Sequence, residues 1–196
     1  MNRSLTSLAV AGLLALTAKP ASAQFIDFND GTTNASVGAF YAGSGVTFSD
    51  ATWDNAFGCC GVRSTSSAYQ PQPGSPIIAV FSYAVGFASL LGEDVGNNGM
   101  VLSAYDAAIG GSLVDQASVF GSGIGVGNNQ TLSVSGANIW RIEFSQATNT
   151  GSGDGMVFDD LRYERAAVVT PEPASVALLA TGLVGVAGFA RRRKAA

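Results

Sequence analysis

The side chains of this chain that could do chemistry are its carboxylates. There is no histidine, which excludes Ser-His-Asp and Cys-His machinery and any histidine-ligated zinc or iron site. No glycine-rich phosphate loop leads into a helix, so nucleotide chemistry is not expected. The two cysteines, Cys59 and Cys60, are neighbours. A disulfide between adjacent residues closes a ring far from ordinary disulfide geometry. The alternatives are a redox-labile vicinal pair, an intermolecular bridge, two loop thiols, or a rare strained ring in an oxidising compartment.

A glycosidase needs two acids facing each other across a sugar. Glu93, Glu143 and Glu164 are scattered, and Glu143, between Arg141 and Ser145, reads as a surface charge. No catalytic constellation emerges, and no enzymatic activity is expected. Calcium is the better use of these acids, since hard cations gather several oxygens. If the first and last strands lie close, Asp27 or Asp30 of "FIDFND" could meet Asp159 or Asp160 of "FDDL". A second place is "GEDVGNNG", with Glu93, Asp94, Asn97 and Asn98. The alternative is that these are solvated turn residues. Structural calcium is the only cofactor that the residues suggest. Aromatic platforms for a sugar could come from Trp53, Tyr69, Tyr83 or Trp140. Trp140 fits a core position better, because its neighbours alternate cleanly.

The elements that must position these residues are strands. "QFIDFND", "GVTFSD", "TLSVSG", "NIWRIEFSQ" and "GMVFDDLRYE" alternate apolar and polar residues, the pattern of strands half buried in a sheet. "PIIAVFSYAVGFASLL" reads as two strands, near Ile77–Phe81 and Val85–Leu91, and "GMVLSAYD" with "GSLVDQASV" as a hairpin. "FGCCGVRSTSSAYQPQPGSP" reads as a long loop. No stretch offers an amphipathic helix. Many short strands with Gly/Asn-rich turns predict an all-β domain, a two-sheet β-sandwich, over residues 24–166.

The ends are different. Residues 1–23 have a charged start, an apolar stretch and Ala21-Ser22-Ala23, the order of a secretory signal peptide cut after Ala23. Residues 167–173 form a linker containing Pro171, Glu172 and Pro173. Residues 174–190 carry no charge and, at 1.5 Å per residue, make a helix of about 25 Å, at the short end for a membrane span. Arg191, Arg192, Arg193 and Lys194 lie in residues 191–196 and hold that end in the cytoplasm. Both ends therefore orient the body outward. Gln24–Thr170 has thirteen acids against four arginines, a net charge of −9. Such a body is not drawn to nucleic acid.

"TPEP", an apolar helix with small residues and an arginine-rich end together resemble a PEP-CTERM sorting signal over Thr170–Ala196; that tail is also labelled an ice-binding protein C-terminal domain, a label for the tail alone. The resemblance implies an exosortase, a membrane-embedded cysteine peptidase, as partner, and cutting near the motif that releases the body or transfers it to the cell surface. It also implies a Gram-negative bacterium that makes exopolysaccharide. "GFASLLGEDVGNNGMVLSAYDAAIGG" and "GDGMVFDDLRYE" resemble the jelly-roll domains that accompany such tails. Related sandwiches bind carbohydrate, and some hold a structural calcium.

The expected protein is thus exported, anchored first in the inner membrane with its body in the periplasm, and then surface-sorted. It acts without catalysis in the extracellular matrix or biofilm, and carbohydrate, including exopolysaccharide, is the most concrete ligand. A carboxylate-based glycan hydrolase or lyase, and a passive structural spacer, are the alternatives.

Overall fold

The computed structural model describes residues 23–54, 61–64, 75–121, 128–148 and 156–167, together with 178 and 181–184. Ala21–Ala167 forms one compact unit. Its strands are β1 (Ala23–Ile26), β2 (Val46–Ser49), β3 (Ala51–Asp54), β4 (Gly61–Ser64), β5 (Ile77–Glu93), β6 (Met100–Tyr105), β7 (Leu113–Val119), β8 (Gln130–Gln146) and β9 (Val157–Arg165). A single 3₁₀ turn, Ala42–Ser44, is the only helical element described in this unit.

All pairings between these strands are antiparallel. The ladder runs β3-β4-β9-β5-β8-β6-β7, with β1 on β9 and β2 on β5. The all-β antiparallel fold is as expected, and its strands are linked into one continuous ladder. The reason lies in β5 and β8, each 17 residues long. Residues Ile77–Val80 of β5 face Arg141–Phe144 of β8, and Phe87–Gly92 face Gln130–Ser135. The second half of β5 also takes β9 as a partner. The register shifts between Val80 and Val85, so the break that separates two strands in the sequence is an irregularity inside one strand. Flanked on both edges, β5 is apolar almost throughout, as buried central strands are.

The sheet closes over its own core. Phe144 of β8 meets Phe158 of β9 with centroids 4.8 Å apart, although these strands are not ladder neighbours. Phe81 and Tyr163 meet at 5.0 Å. Ile26, Phe28, Phe48, Ile77, Leu102, Ile142 and Leu161 belong to the same buried cluster.

The β6–β7 hairpin forms as expected, with Leu102 opposite Ala117. The first strand lies on the last, with Ile26 opposite Leu161. The expected loop from Phe57 differs in one part: Gly61–Ser64 is β4, paired to β3 and touching β9 at Phe158. Its Val62 is fully buried, and that burial holds the segment in the sheet.

Residues 1–20 and 168–196 form the other unit, in which 178 and 181–184 are helical. Among the described residues no helix is long and apolar enough to cross a membrane. The expected span over 174–190 falls mostly outside the described residues, as do the signal segment before Ala23, Cys59, Cys60 and Tyr69.

Candidate functional site

The face of the sheet turned away from the core can be built from the strand registers. Side chains alternate across a strand. Phe48, Ala79, Ile142, Phe144, Leu102 and Ala104 point into the core, so their neighbours point out. One transverse row is Ser49, Ile78, Glu143, Ser103 and Gln116, on β2, β5, β8, β6 and β7. The next is Thr47, Val80, Arg141 and Tyr105.

Arg141 is the centre of this face. Its Nε stands 2.9 Å from Glu143 Oε1, and its guanidinium lies 4.2 Å from the centroid of the Tyr105 ring. Its Nη1 donates to the Ala107 and Ala108 carbonyls, each at 3.4 Å, which ties down the β6–β7 turn. Asp106 Oδ1 closes the same turn by accepting from the Ser112 N–H at 2.6 Å. Gly111, at φ 83, comes so close to Asp106 that a side chain there would strike it. Beside the pair, Gln116 Nε2 donates to Ser103 Oγ at 2.8 Å. Arg141, Ser103 and Ser145 are only 8, 7 and 6% exposed although they point away from the core. Tyr105 and Glu143 are half-buried, and Gln116 is exposed. The arrangement offers one aromatic ring, one internally compensated ion pair, a hydroxyl and an amide, with no net charge.

At another end of the body stand the carboxylates expected to hold calcium. Asp27 and Asp160 each lie one residue beyond the Ile26–Leu161 pair. Asp159 is buried. Burial pushes its carboxyl up to about 7, with Asp160, Glu93 and Asp27 adding repulsion against the hydrogen bond from the Asp160 N–H. Burial, and then Asp160, also raise Glu93. The Asn29 side chain and backbone hold Asp27 below its usual value. These acids feel one another, but among the described residues no group of three or more His, Cys, Asp or Glu is placed to hold a metal ion. Asp30 is exposed and adds its charge to what burial does to Tyr41, which is pushed up to about 12. In the "GEDVGNNG" segment Asp94 and Asn98 are buried, and Asn98 Nδ2 donates to Gln146 Oε1 at 3.4 Å.

Of the expected aromatic platforms, Trp53, Tyr83 and Trp140 lie among the described residues. Trp53 is 5% exposed and packs edge-on against Phe40 at 4.9 Å. The Arg165 guanidinium lies 3.8 Å from the centroid of the half-buried Tyr83 ring, whose hydroxyl donates to the Ser44 carbonyl. Trp140 is half-buried where β8 shifts its register against β5. Sequence reasoning passed over Tyr105, Arg141 and Glu143 as a group. The only local signal was the charged pair on one side of an otherwise apolar strand.

Residues 169–194 match a family model described as the PEP-CTERM protein-sorting motif. The tail is a PEP-CTERM sorting motif. It contains Pro171, Glu172, Pro173 and the basic residues Arg191 to Lys194. No curated protein matches the chain. Among solved structures, the body is similar to a mutant of the family 29 carbohydrate-binding module CBM29-2, at 14% identity and TM-score 0.42, covering 74% of this chain and 92% of that one. It is also similar to the family 11 carbohydrate-binding module of a cellulosomal cellulase of Clostridium thermocellum, at 14% identity and TM-score 0.39, covering 79% and 100%. A third is the C-terminal family 6 module of a marine laminarinase from Zobellia galactanivorans, at 11% identity and TM-score 0.34, covering 74% and 100%.

Proposed function

We propose that this protein is exported and sorted to the cell surface through its PEP-CTERM tail, and that its β-sheet body acts there without catalysis by holding carbohydrate of the extracellular matrix. The observation that carries the reading is the motif over residues 169–194. Its order of Pro-Glu-Pro, apolar run and basic end gives an exosortase-type membrane peptidase a sequence to recognise and a membrane stop beside it. The body supports the carbohydrate clause through the polar face of no net charge around the Arg141–Glu143 ion pair. Its excess of acids argues against phosphate-bearing ligands.

A second reading, a carboxylate-based glycan hydrolase or lyase, draws on one observation. Asp159, raised to about 7, could hold a proton near neutrality as a general acid does, with Glu93 as a second carboxylate.

Antibody labelling of intact cells tests the sorting clause. Cells making the full chain should label at their surface, and cells making a chain without residues 168–196 should not retain the label. Equal surface labelling would overturn the reading. Release of reducing ends from cell-derived exopolysaccharide, abolished by Asp159→Asn, would favour the second reading instead.

A further inference from the structure

We infer that the outward face of β7, β6, β8, β5 and β2 is the carbohydrate site, and that its ligand is a neutral polysaccharide. The inference rests on the carbohydrate clause above and deepens it to named residues.

Five neighbouring strands at a spacing of about 4.8 Å make a face roughly 19 Å across, room for several sugar rings in a row. The ordinary exposed face of a sheet carries long solvated side chains. Here short hydroxyls and a nearly buried arginine form the floor, at 6–8% exposure, with Tyr105, Glu143 and Gln116 standing around it. A sugar ring presents apolar C–H groups on its faces and hydroxyls on its rim. The Tyr105 ring, held in place by the Arg141 guanidinium at 4.2 Å, suits the first. Glu143 as acceptor, and Arg141 and Gln116 as donors, suit the second.

Charge selects among glycans. Arg141 is already answered by Glu143 at 2.9 Å, so the face holds no spare cation for an acidic sugar. A polyanion would also approach a body with a net charge of −9. Both observations point to an uncharged chain.

The test is affinity electrophoresis of the full chain, exported by a bacterial host and extracted in detergent. Native gels would contain soluble β-glucan, xylan or galactomannan as neutral probes, and alginate as the anionic probe. At least one neutral polysaccharide should retard the protein, and alginate should not. Tyr105→Ala should weaken that retardation by about tenfold. Gln116→Ala, at an exposed position where folding is not at stake, should weaken it severalfold. Melting curves establish that each variant is folded. If both folded variants are retarded like the parent protein, the site lies elsewhere and this inference falls, while the carbohydrate reading stands. If no neutral polysaccharide retards the parent protein, both fall. Retardation by alginate alone would overturn the ligand class.

Discussion

The Arg141 guanidinium lies 4.2 Å from the centre of the Tyr105 ring, and the two residues are direct register partners across β8 and β6. The same guanidinium group reaches Glu143 and two carbonyls of the β6–β7 turn. One side chain thereby joins a strand, its neighbour and the turn that follows. Arg141→Ala should leave Glu143 half-buried without its partner and free the turn, at a cost of roughly 2–3 kcal/mol. Arg141→Lys should fall in between, because an ammonium keeps the charge but not the planar fork. Denaturant midpoints measure both. An unchanged midpoint for Arg141→Ala would show that the contacts are incidental.

Tyr83 and Tyr163 both donate to the Ser44 carbonyl, at 3.3 and 2.8 Å. They fasten the 3₁₀ turn Ala42–Ser44 to the sheet, and burial raises the Tyr163 phenol above its usual range. Tyr163 makes the shorter bond and is fully buried. Tyr163→Phe should therefore cost about 1 kcal/mol, and Tyr83→Phe less. The reverse order in thermal melts would mean that Tyr83 carries the turn.

Stability should depend on pH through Asp159. Its carboxyl ionises at about 7 in the folded body, against 3.8 for the free side chain, mainly because it is buried. The folded state thus holds the proton more tightly than the unfolded chain. Stability should fall as pH rises from about 4 to about 7, and the loss should be complete above that. Glu93, also raised, acts in the same direction. Asp159→Asn keeps the shape and removes this titration, so its melting temperature should vary less over that window. A parent protein that instead gains stability from pH 4 to 7 with the same slope as the variant would show that Asp159 is ionised in the fold.

Alternation made much of this fold legible. "NIWRIEFSQ" puts Ile142 and Phe144 inside, and the β6–β7 hairpin is readable from its turn, whereas the closeness of the first and last strands entered only as a condition for a calcium site. What alternation cannot show is what lies above each side. Trp53 was a candidate surface platform, but Phe40 and Tyr41 pack against its ring, with centroids 4.9 and 6.4 Å away, and it is buried. Arg141 and Glu143 looked like solvent-face charges. Their shielding comes from Tyr105 and the turn after it, more than thirty residues earlier in the chain. The same gap hid β4, whose place depends on Val62 filling a space beside β9 rather than on its own composition.

The central claim is that the tail is a signal read by a peptidase, and intact mass of the chain recovered from producing cells tests it most directly. An anchor needs only apolar length and a basic end. A recognised signal also needs its Pro171, Glu172 and Pro173, where the prolines fix φ and remove two backbone donors. The parent protein should be recovered at a mass lacking the segment after that motif. Replacing Pro171-Glu172-Pro173 by Ala-Gly-Ala should leave the tail attached and the chain in the membrane fraction. Identical masses for both proteins, with the tail retained in each, would contradict the claim and reduce residues 169–194 to a membrane anchor.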